Sequence, residues 1–178
     1  MNILILIGSP RANGSTEVMA NTFRRGAEER GNKIAVIKAY DAKVAPCIDC
    51  GRCKDKIGSC IHRDDMSGGL MRLIDDTDML VIASPVYWWG FPAPLKLIID
   101  RLYAKERKSF KVSSSALLMN AYDEDAFEPA VGQYIRICEH LNWGIAGIIT
   151  IGGIREKGGV KKSERLGEVY TLGKSIRP

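Results

Sequence analysis

Several common features are missing from this sequence of 178 residues. No apolar run approaches the ~20 residues that a membrane-spanning helix requires, so we expect no membrane association. The chain opens directly on a strand pattern, without a basic segment or a small-residue cleavage site, and we expect a cytoplasmic protein. The sequence has no Gly-x-Gly-x-x-Gly motif, no Walker lysine and no Ser–His–Asp set. These absences argue against a dinucleotide fingerprint, a P-loop and nucleophilic catalysis by side chains.

The chain is basic, with a formal net charge of +5 and a pI of about 9.0. Its basic residues concentrate in 101–111 and 155–165. Two solvated faces are the simpler interpretation, but such a surface could also attract a phosphorylated dinucleotide or an acidic protein partner. Because no nucleic-acid-binding motif accompanies the charge, we expect no nucleic-acid partner.

Strand and helix patterns alternate from end to end, without repeats or linkers. Apolar runs predict five strands, at Asn2–Ile7, Lys33–Lys38, 79–83, 115–119 and 145–151. Helices are predicted at 15–30, 64–75, 95–101, 126–142 and 161–175. This alternation predicts an α/β three-layer sandwich with a parallel sheet of order 2-1-3-4-5. The length fits a single domain over 1–178, interrupted by a cysteine-rich loop at about 42–63.

The loop between the first strand and the first helix is typical of an anion site. A helix start presents unpaired N–H groups and the positive end of the helix dipole. Arg11 adds a fork of donors suited to a phosphate. Hydroxyl and amide donors come from Ser9, Asn13, Ser15 and Thr16. The alternative is a plain helix start with Ser15 or Thr16 as the N-cap.

An aromatic loop follows the third predicted strand, and it suits a flat ring system. Pro85 restricts the backbone, and Gly90 allows close approach to a ligand. The aromatic residues of the loop offer large, rigid ring surfaces to a ligand, and Val86 lies in the same loop. The predicted ring-binding residues are Pro85, Val86, Tyr87, Trp88, Trp89 and Gly90, with Trp88, Trp89 and Phe91 forming a wall above the ring. A buried hydrophobic turn is the alternative interpretation.

The two loops would meet because strands one and three are neighbours at the switch point of a 2-1-3-4-5 sheet. One loop accommodates a terminal phosphate and the other a planar ring. A mononucleotide such as FMN fits this pair, and its usual place in a flavodoxin-like fold is this crevice.

Four of the five cysteines follow the spacing Cys47-x2-Cys50-x2-Cys53-x6-Cys60. Such a compact set in a reducing compartment indicates metal or redox chemistry. Four thiolates at this spacing suit a [4Fe-4S] cluster. A zinc site, a redox-active dithiol, and free or disulfide-forming thiols are the alternatives. Cys138 lies in an apolar helix pattern and is interpreted as a core residue.

Three groups of residues resemble the NADPH-dependent FMN reductase family of flavodoxin-like proteins. They are Gly8-Ser9-Pro10-Arg11 with Ser15-Thr16, the segment 84–96, and Asp100-Arg101. The cysteine motif, continued by Asp64-Asp65-Met66, is similar to the iron–sulfur flavoprotein branch. The resemblance implies that the first loop holds the FMN phosphate and the third-strand loop the isoalloxazine. The family also uses the loop after strand four, here 120–123, which lacks the glycine pair often found there.

We therefore predict an FMN-dependent NAD(P)H oxidoreductase that passes electrons to a small acceptor, with no catalytic side chain because the flavin carries the chemistry. The alternative is an electron carrier with FMN and a [4Fe-4S] cluster that accepts electrons from ferredoxin. An exposed aromatic loop would be an apolar patch on a monomer, so we expect a homodimer or homotetramer.

Overall fold

The sheet of the computed structural model, which describes residues 1–55 and 60–178, has five parallel strands in the order β2-β1-β3-β4-β5. The strands are β1 Asn2–Ile7, β2 Lys33–Lys38, β3 Met79–Pro85, β4 Ser114–Asn120 and β5 Gly144–Ile151. The helices are α1 Ser15–Glu28, α2 Met71–Asp75, α3 Ala93–Arg101, α4 Glu128–Leu141 and α5 Leu166–Ser175. The predicted fold class and strand order are confirmed.

Two hydrophobic clusters lie on opposite faces of the sheet. Side chains alternate across a strand, so Leu4 and Leu6 of β1 face one cluster while Ile3 and Ile5 face the other. The first cluster includes residues of α2, α3 and α4, and the second includes residues of α1 and α5. Burial on both faces explains why the strands read as nearly continuous apolar runs.

Two predicted helices differ in the structure. The segment 64–75, predicted as one helix, is a π-helical turn at Met66–Leu70 followed by α2. Gly68 and Gly69 lie in this turn, and a Cβ added to either would meet no atom within 4 Å. The last helix begins at Leu166, since Gly159–Lys162 forms a 3-10 turn and Ser163 is extended. The residues before Leu166 are mostly charged, so the sequence has no apolar periodicity there that would mark where the helix begins.

The part of the chain that the structure describes contains no helix with both the length and the apolar character needed to span a lipid bilayer. The predicted cysteine-rich loop is irregular apart from a short 3-10 turn at Arg52–Lys54, and its residues 56–59 lie outside the described residues.

Candidate cofactor site and cysteine site

A cavity of about 310 Å³ lies beyond the carboxyl ends of β1, β3, β4 and β5. Strand register creates it: Ile7 pairs with Ala83, and Asn120 pairs with both Pro85 and Ile151. Four connections therefore leave the sheet at one edge, where open α/β sheets bind ligands. The wall is formed by Ser9, Arg11, Gly14, Ser15, Thr16, Pro85, Val86, Tyr87, Asn120, Ala121, Tyr122, Ile154, Arg155, Glu156 and Lys157.

The first connection brings a helix N-terminus to the cavity. Gly14 is the N-cap of α1, with an extended backbone and no side-chain cap. The alternative prediction of Ser15 or Thr16 as N-cap is therefore wrong. Both residues belong to the first turn of α1 and line the cavity. Unpaired N–H groups of the first turn and the hydroxyls of Ser9 and Ser15 are the donors that this end of the cavity offers to an anion, since the Thr16 hydroxyl donates to Asn120.

Asn13 lies outside the cavity wall. Its backbone is in the left-handed region, with φ of +57°, and its N–H donates to the Glu17 carboxylate. Asparagine is among the few residues that adopt this conformation readily. Its role in the structure is to shape the turn before α1.

The third-strand connection places Pro85, Val86 and Tyr87 in the wall. Tyr87 and Gly90 exchange two backbone hydrogen bonds of 3.0 Å each, which closes a two-residue hairpin turn. Trp88 and Trp89 occupy that turn with φ of +48° and +57°. Positive φ is rare for bulky residues, so this turn stores strain of about 1–3 kcal/mol per residue.

The structure places Trp88, Trp89 and Gly90 outside the cavity wall. Trp88 is 91% exposed and Trp89 55% exposed. Phe91 is buried in the hydrophobic cluster beneath α3 and does not stand beside the two tryptophans at the surface. The sequence alone could not separate these neighbours, because all of them are large and apolar.

The connections after β4 and β5 complete the cavity. Thr16 donates to Asn120 Oδ1 at 2.7 Å, which leaves the Asn120 Nδ2 group to donate to a ligand. Backbone bonds from Val86 N to Asn120 O and from Ile154 N to Ala121 O tie these connections together. The family resemblance pointed to the loop 120–123, and the charge pattern to the basic segment 155–165, but neither identified Asn120 or 154–157 as wall residues of this cavity.

The cavity wall carries more positive than negative charge. Arg11, Arg155 and Lys157 line it, and the Arg155 guanidinium lies 5.4 Å from the Tyr122 ring centroid. The acidic member, Glu156, forms an ion pair with Lys162 at 2.6 Å. This balance favours anionic ligands.

The four clustered cysteines line a second, narrow cavity of about 20 Å³. Cys47 and Cys50 are exposed, whereas Cys53 and Cys60 are partly buried. Within 1–55 and 60–178, no three Cys, His, Asp or Glu side chains form a group able to hold a metal ion. Cys138 is buried in α4, as predicted from its apolar surroundings.

Two nitrogen atoms beside this cysteine cavity are buried without a hydrogen-bond partner in the described part of the chain. They are His62 Nε2 and Arg101 Nε. Four thiols have the ligand chemistry of a thiolate-held group such as [4Fe-4S], but the described side chains do not form a set that could hold one. The present room between the thiols holds about one water molecule. The exposed segment carrying Cys47 and Cys50 would have to move outward to admit such a group.

An ion pair closes the base of the cysteine loop. Arg101 donates to Asp64 Oδ2 at 2.7 Å and to the Ala45 carbonyl at 2.9 Å. Asp64 Oδ2 also accepts from Ala45 N at 2.9 Å. Next to them, the Lys43 N–H donates to the Asp65 carboxylate. Both ends of the loop are thus attached to α3. Asp64 also accepts a hydrogen bond from Ser67 N at the start of the following helical turn, whereas Asp65 is its N-cap residue without a side-chain cap.

The closure predicts a specific loss of stability in acid. Burial alone would raise the pKa of Asp64, but Arg101 and the amides of Ala45 and Ser67 outweigh it and lower the pKa to about 2. A depressed carboxyl pKa stabilises the fold above the unfolded value and ceases to do so as pH falls through the folded value. We expect about 2 kcal/mol of unfolding free energy to disappear between pH 5 and pH 2.

Urea unfolding at a series of pH values measures this loss. Asp64→Asn is the control. We expect this variant to be less stable than the wild type at neutral pH, and its unfolding free energy should lack the part of the pH dependence that comes from Asp64. Equal pH slopes for the two proteins would contradict the prediction.

Comparison with known proteins agrees with this geometry. Residues 1–154 match the model of the NADPH-dependent FMN reductase family. An iron-sulfur flavoprotein of Methanosarcina thermophila is 29% identical over 90% of this chain and 82% of its own length. One from Archaeoglobus fulgidus is 34% identical over 57% of this chain and 46% of its own length. The chain thus spans about half the length of some of the relatives that it matches.

A solved flavone reductase superposes on 99% of this chain and 62% of its own, with a TM-score of 0.76 and 17% identity. At that identity the likeness shows the shared flavodoxin-like fold. The family match covers most of the sequence and includes the connections after β1, β3 and β4, whereas it ends at residue 154, before Arg155, Glu156 and Lys157 of the cavity wall. The chain therefore belongs to the NADPH-dependent FMN reductase family, a family of flavin-dependent oxidoreductases.

Proposed function

We propose that this protein is an FMN-dependent NAD(P)H oxidoreductase that passes electrons to a small acceptor. One observation carries the proposal: a helix N-terminus and three further connections converge on one cavity at the switch point of the sheet. Its size lies within the usual range of cofactor pockets. Family membership supports both FMN and a reduced nicotinamide as ligands.

The residues present fit FMN. The first turn of α1, with Ser9, Arg11 and Ser15, would hold the phosphate by N–H and hydroxyl donors, and Thr16 would contribute its backbone N–H because its hydroxyl donates to Asn120. Tyr87 and its neighbours Pro85 and Val86 would form a wall beside the ring, and Asn120 Nδ2 would donate to a polar ring atom. When bound, FMN supplies the hydride and electron-transfer chemistry, so the protein needs to supply placement and electrostatics.

A second anionic ligand is supported by the charges of the wall. An FMN phosphate carries close to two negative charges at neutral pH, whereas Arg11, Arg155 and Lys157 supply three positive ones. Glu156 is neutralised by Lys162. The remaining positive charge lies on the connection after β5 and favours the phosphates of a nicotinamide dinucleotide.

Anaerobic mixing tests this function. FMN-loaded protein is mixed with NADPH and separately with NADH, and the flavin absorbance is followed in time. We expect bleaching by at least one donor and recovery when a quinone or free flavin is added. Absence of bleaching with both donors would refute the proposal.

A second candidate function is an electron carrier with FMN and a [4Fe-4S] cluster that exchanges electrons with ferredoxin. The observation favouring it is that all four cysteines share one cavity with two buried nitrogen atoms that have no hydrogen-bond partner in 1–55 and 60–178. Relatives carry the name iron-sulfur flavoprotein. Because a thiolate-held group requires thiols that stay reduced, we also propose a cytoplasmic location for this carrier.

Anaerobic reconstitution with iron and sulfide distinguishes the candidates. The carrier requires about four irons and four sulfides per chain, and faster reduction by ferredoxin than by NADPH. Cys50→Ser should lose the cluster, whereas Cys138→Ala, which removes a buried thiol from α4, should retain it. Zinc in place of iron, or no metal at all, would refute the carrier.

We also propose that the protein is a homodimer or homotetramer whose subunits meet at the turn of Trp88 and Trp89. Strain in this turn and the 91% exposure of Trp88 support a second copy as the partner. Trp88→Ser should convert the oligomer to a monomer in sedimentation velocity. A wild-type protein that sediments as a monomer would refute this assembly.

A further inference from the structure

Tyr122 lines the proposed cofactor cavity and is nevertheless open to solvent. It lies on the connection after β4, and 60% of its surface is exposed. The guanidinium of Arg155, on the connection after β5, lies 5.4 Å from the Tyr122 ring centroid. This distance is within the range of about 6 Å for a cation–π contact. Together the two side chains present a flat apolar ring and a positive charge at the edge of the cavity.

Backbone hydrogen bonds fix the position of this pair. Ile154 N donates to Ala121 O at 3.0 Å, and Ala121 N donates to Ile151 O at 3.2 Å. Ala121 and Ile154 directly precede Tyr122 and Arg155 in the chain. The sheet edge therefore brings the ring and the guanidinium together, and the weak contact between them does not have to do so.

Arg155 has no acidic partner among the residues that the structure describes. Each of their ion pairs is formed by other side chains. The neighbouring Glu156 is paired with Lys162 at 2.6 Å, and the acidic segment 123–125 lies outside the cavity wall. A guanidinium has five N–H donors in a planar fork that matches a carboxylate or phosphate. Arg155 is thus available to an anion that enters the cavity.

The two cations of this connection face different parts of the site. Lys157 lies towards the start of α1, because it assists Lys38 in lowering the pKa of Glu17, a residue of the first turn. That is the end proposed to hold phosphates. Arg155 instead lies beside the connection that begins at Asn120, which is proposed to face the flavin ring. Its charge is therefore placed where a second substrate would meet the ring.

We infer that the Tyr122–Arg155 pair is the acceptor subsite and selects planar aromatic acceptors that carry a negative charge, such as quinone sulfonates and carboxylates. The acceptor ring packs beside Tyr122, and its anionic group accepts from the guanidinium. The inference rests on the first proposed function. NAD(P)H loses a hydride and becomes NAD(P)+. The quinone gains the two electrons and the proton of that hydride, with one further proton from solvent, and becomes the hydroquinone.

Binding of a probe that cannot be reduced tests the subsite without turnover. Naphthalene sulfonate and its neutral analogue naphthol are titrated into FMN-loaded protein by calorimetry. We expect Arg155→Gln to weaken sulfonate binding about tenfold and naphthol binding by less than about twofold. Arg155→Lys keeps the charge without the planar fork and should lie between. Tyr122→Leu should weaken both probes by a similar factor, because it removes the ring contact that they share.

Steady-state kinetics test the same residues during turnover. Naphthoquinone sulfonate and naphthoquinone are compared as acceptors at saturating NADPH. The ratio of their kcat/KM values should fall about tenfold in Arg155→Gln, while KM for NADPH and for NADH stays unchanged. Arg136→Gln is the matched control, because it removes an exposed arginine of α4 that is paired with Glu139 and lies outside this cavity. It should leave the ratio at the wild-type value.

The failures are distinguishable. A wild type whose FMN is reduced by neither donor overturns the first function, and the acceptor subsite with it. An active wild type with equal acceptor ratios in Arg155→Gln and Arg136→Gln overturns the inference alone. If Arg155→Gln raises KM for NADPH more than for NADH and leaves the acceptor ratio unchanged, the guanidinium serves the donor, and the inference is overturned as well.

Discussion

Replacing Ser15 with aspartate is expected to weaken FMN binding by more than 100-fold. Ser15 is buried in the first turn of α1 and lines the cavity beside Arg11. A carboxylate there would occupy the place that the helix dipole offers to the phosphate. Two unit charges 4 Å apart near a protein surface repel by about 4 kcal/mol, and 1.4 kcal/mol is tenfold in affinity.

The same substitution should leave the fold intact, because an acidic residue in the first turn of a helix is itself stabilised by the dipole. Quenching of FMN fluorescence measures the affinity, and thermal unfolding of the FMN-free protein measures the fold. Ser15→Ala is the matched control. It removes one hydrogen-bond donor worth about 1 kcal/mol, so the affinity for FMN should fall by less than tenfold. Wild-type affinity in Ser15→Asp would place the phosphate elsewhere.

Replacing Gly173 with alanine is expected to destabilise the protein by at least about 3 kcal/mol, and to lower Tm by about 10 °C. A Cβ at this position of α5 would lie 2.2 Å from the Phe23 carbonyl oxygen and 3.2 Å from Ala27 N. A Cβ added to Gly26 of α1 would likewise lie 2.4 Å from the Tyr170 carbonyl oxygen of α5. These are backbone atoms, so no side-chain rotation can relieve the overlap and the helices must separate.

Gly132→Ala is the control for intrinsic helix propensity. Gly132 lies in α4, and a Cβ there would meet nothing within 4 Å. The same change should therefore stabilise the protein by about 0.5–1 kcal/mol. Urea and thermal unfolding of both variants give the comparison. Similar effects at the two positions would mean that the α1–α5 contact is less close than the structure shows.

The pattern of apolar runs was enough to predict the sheet. Strands buried on both faces have no polar alternation, and the helices between them force parallel pairing, so the order 2-1-3-4-5 followed from few options. The loop proposed to bind an anion was also recognisable in the sequence, because Arg11 and several hydroxyl residues lie directly between a strand and a helix.

Local signals failed where distant backbone decided the outcome. Ser15 and Thr16 resemble N-caps in sequence, yet Gly14 takes that position and Thr16 bonds to Asn120 from another strand. Phe91 reads like the tryptophans before it, yet the turn at Trp88 and Trp89 directs it into the core.

The amino-acid sequence by itself determined the parallel α/β sheet, the position of the proposed anion-binding loop and the grouping of four cysteines, because each depends on residues that are close along the chain. The tertiary structure decided which residues form the cavity wall and what surrounds the cysteines. Asn120, Arg155 and Arg101 come from strands and helices far apart in sequence, and strand register and helix packing bring them together. Such long-range contacts depend on burial in three dimensions, which no local pattern of residue types encodes.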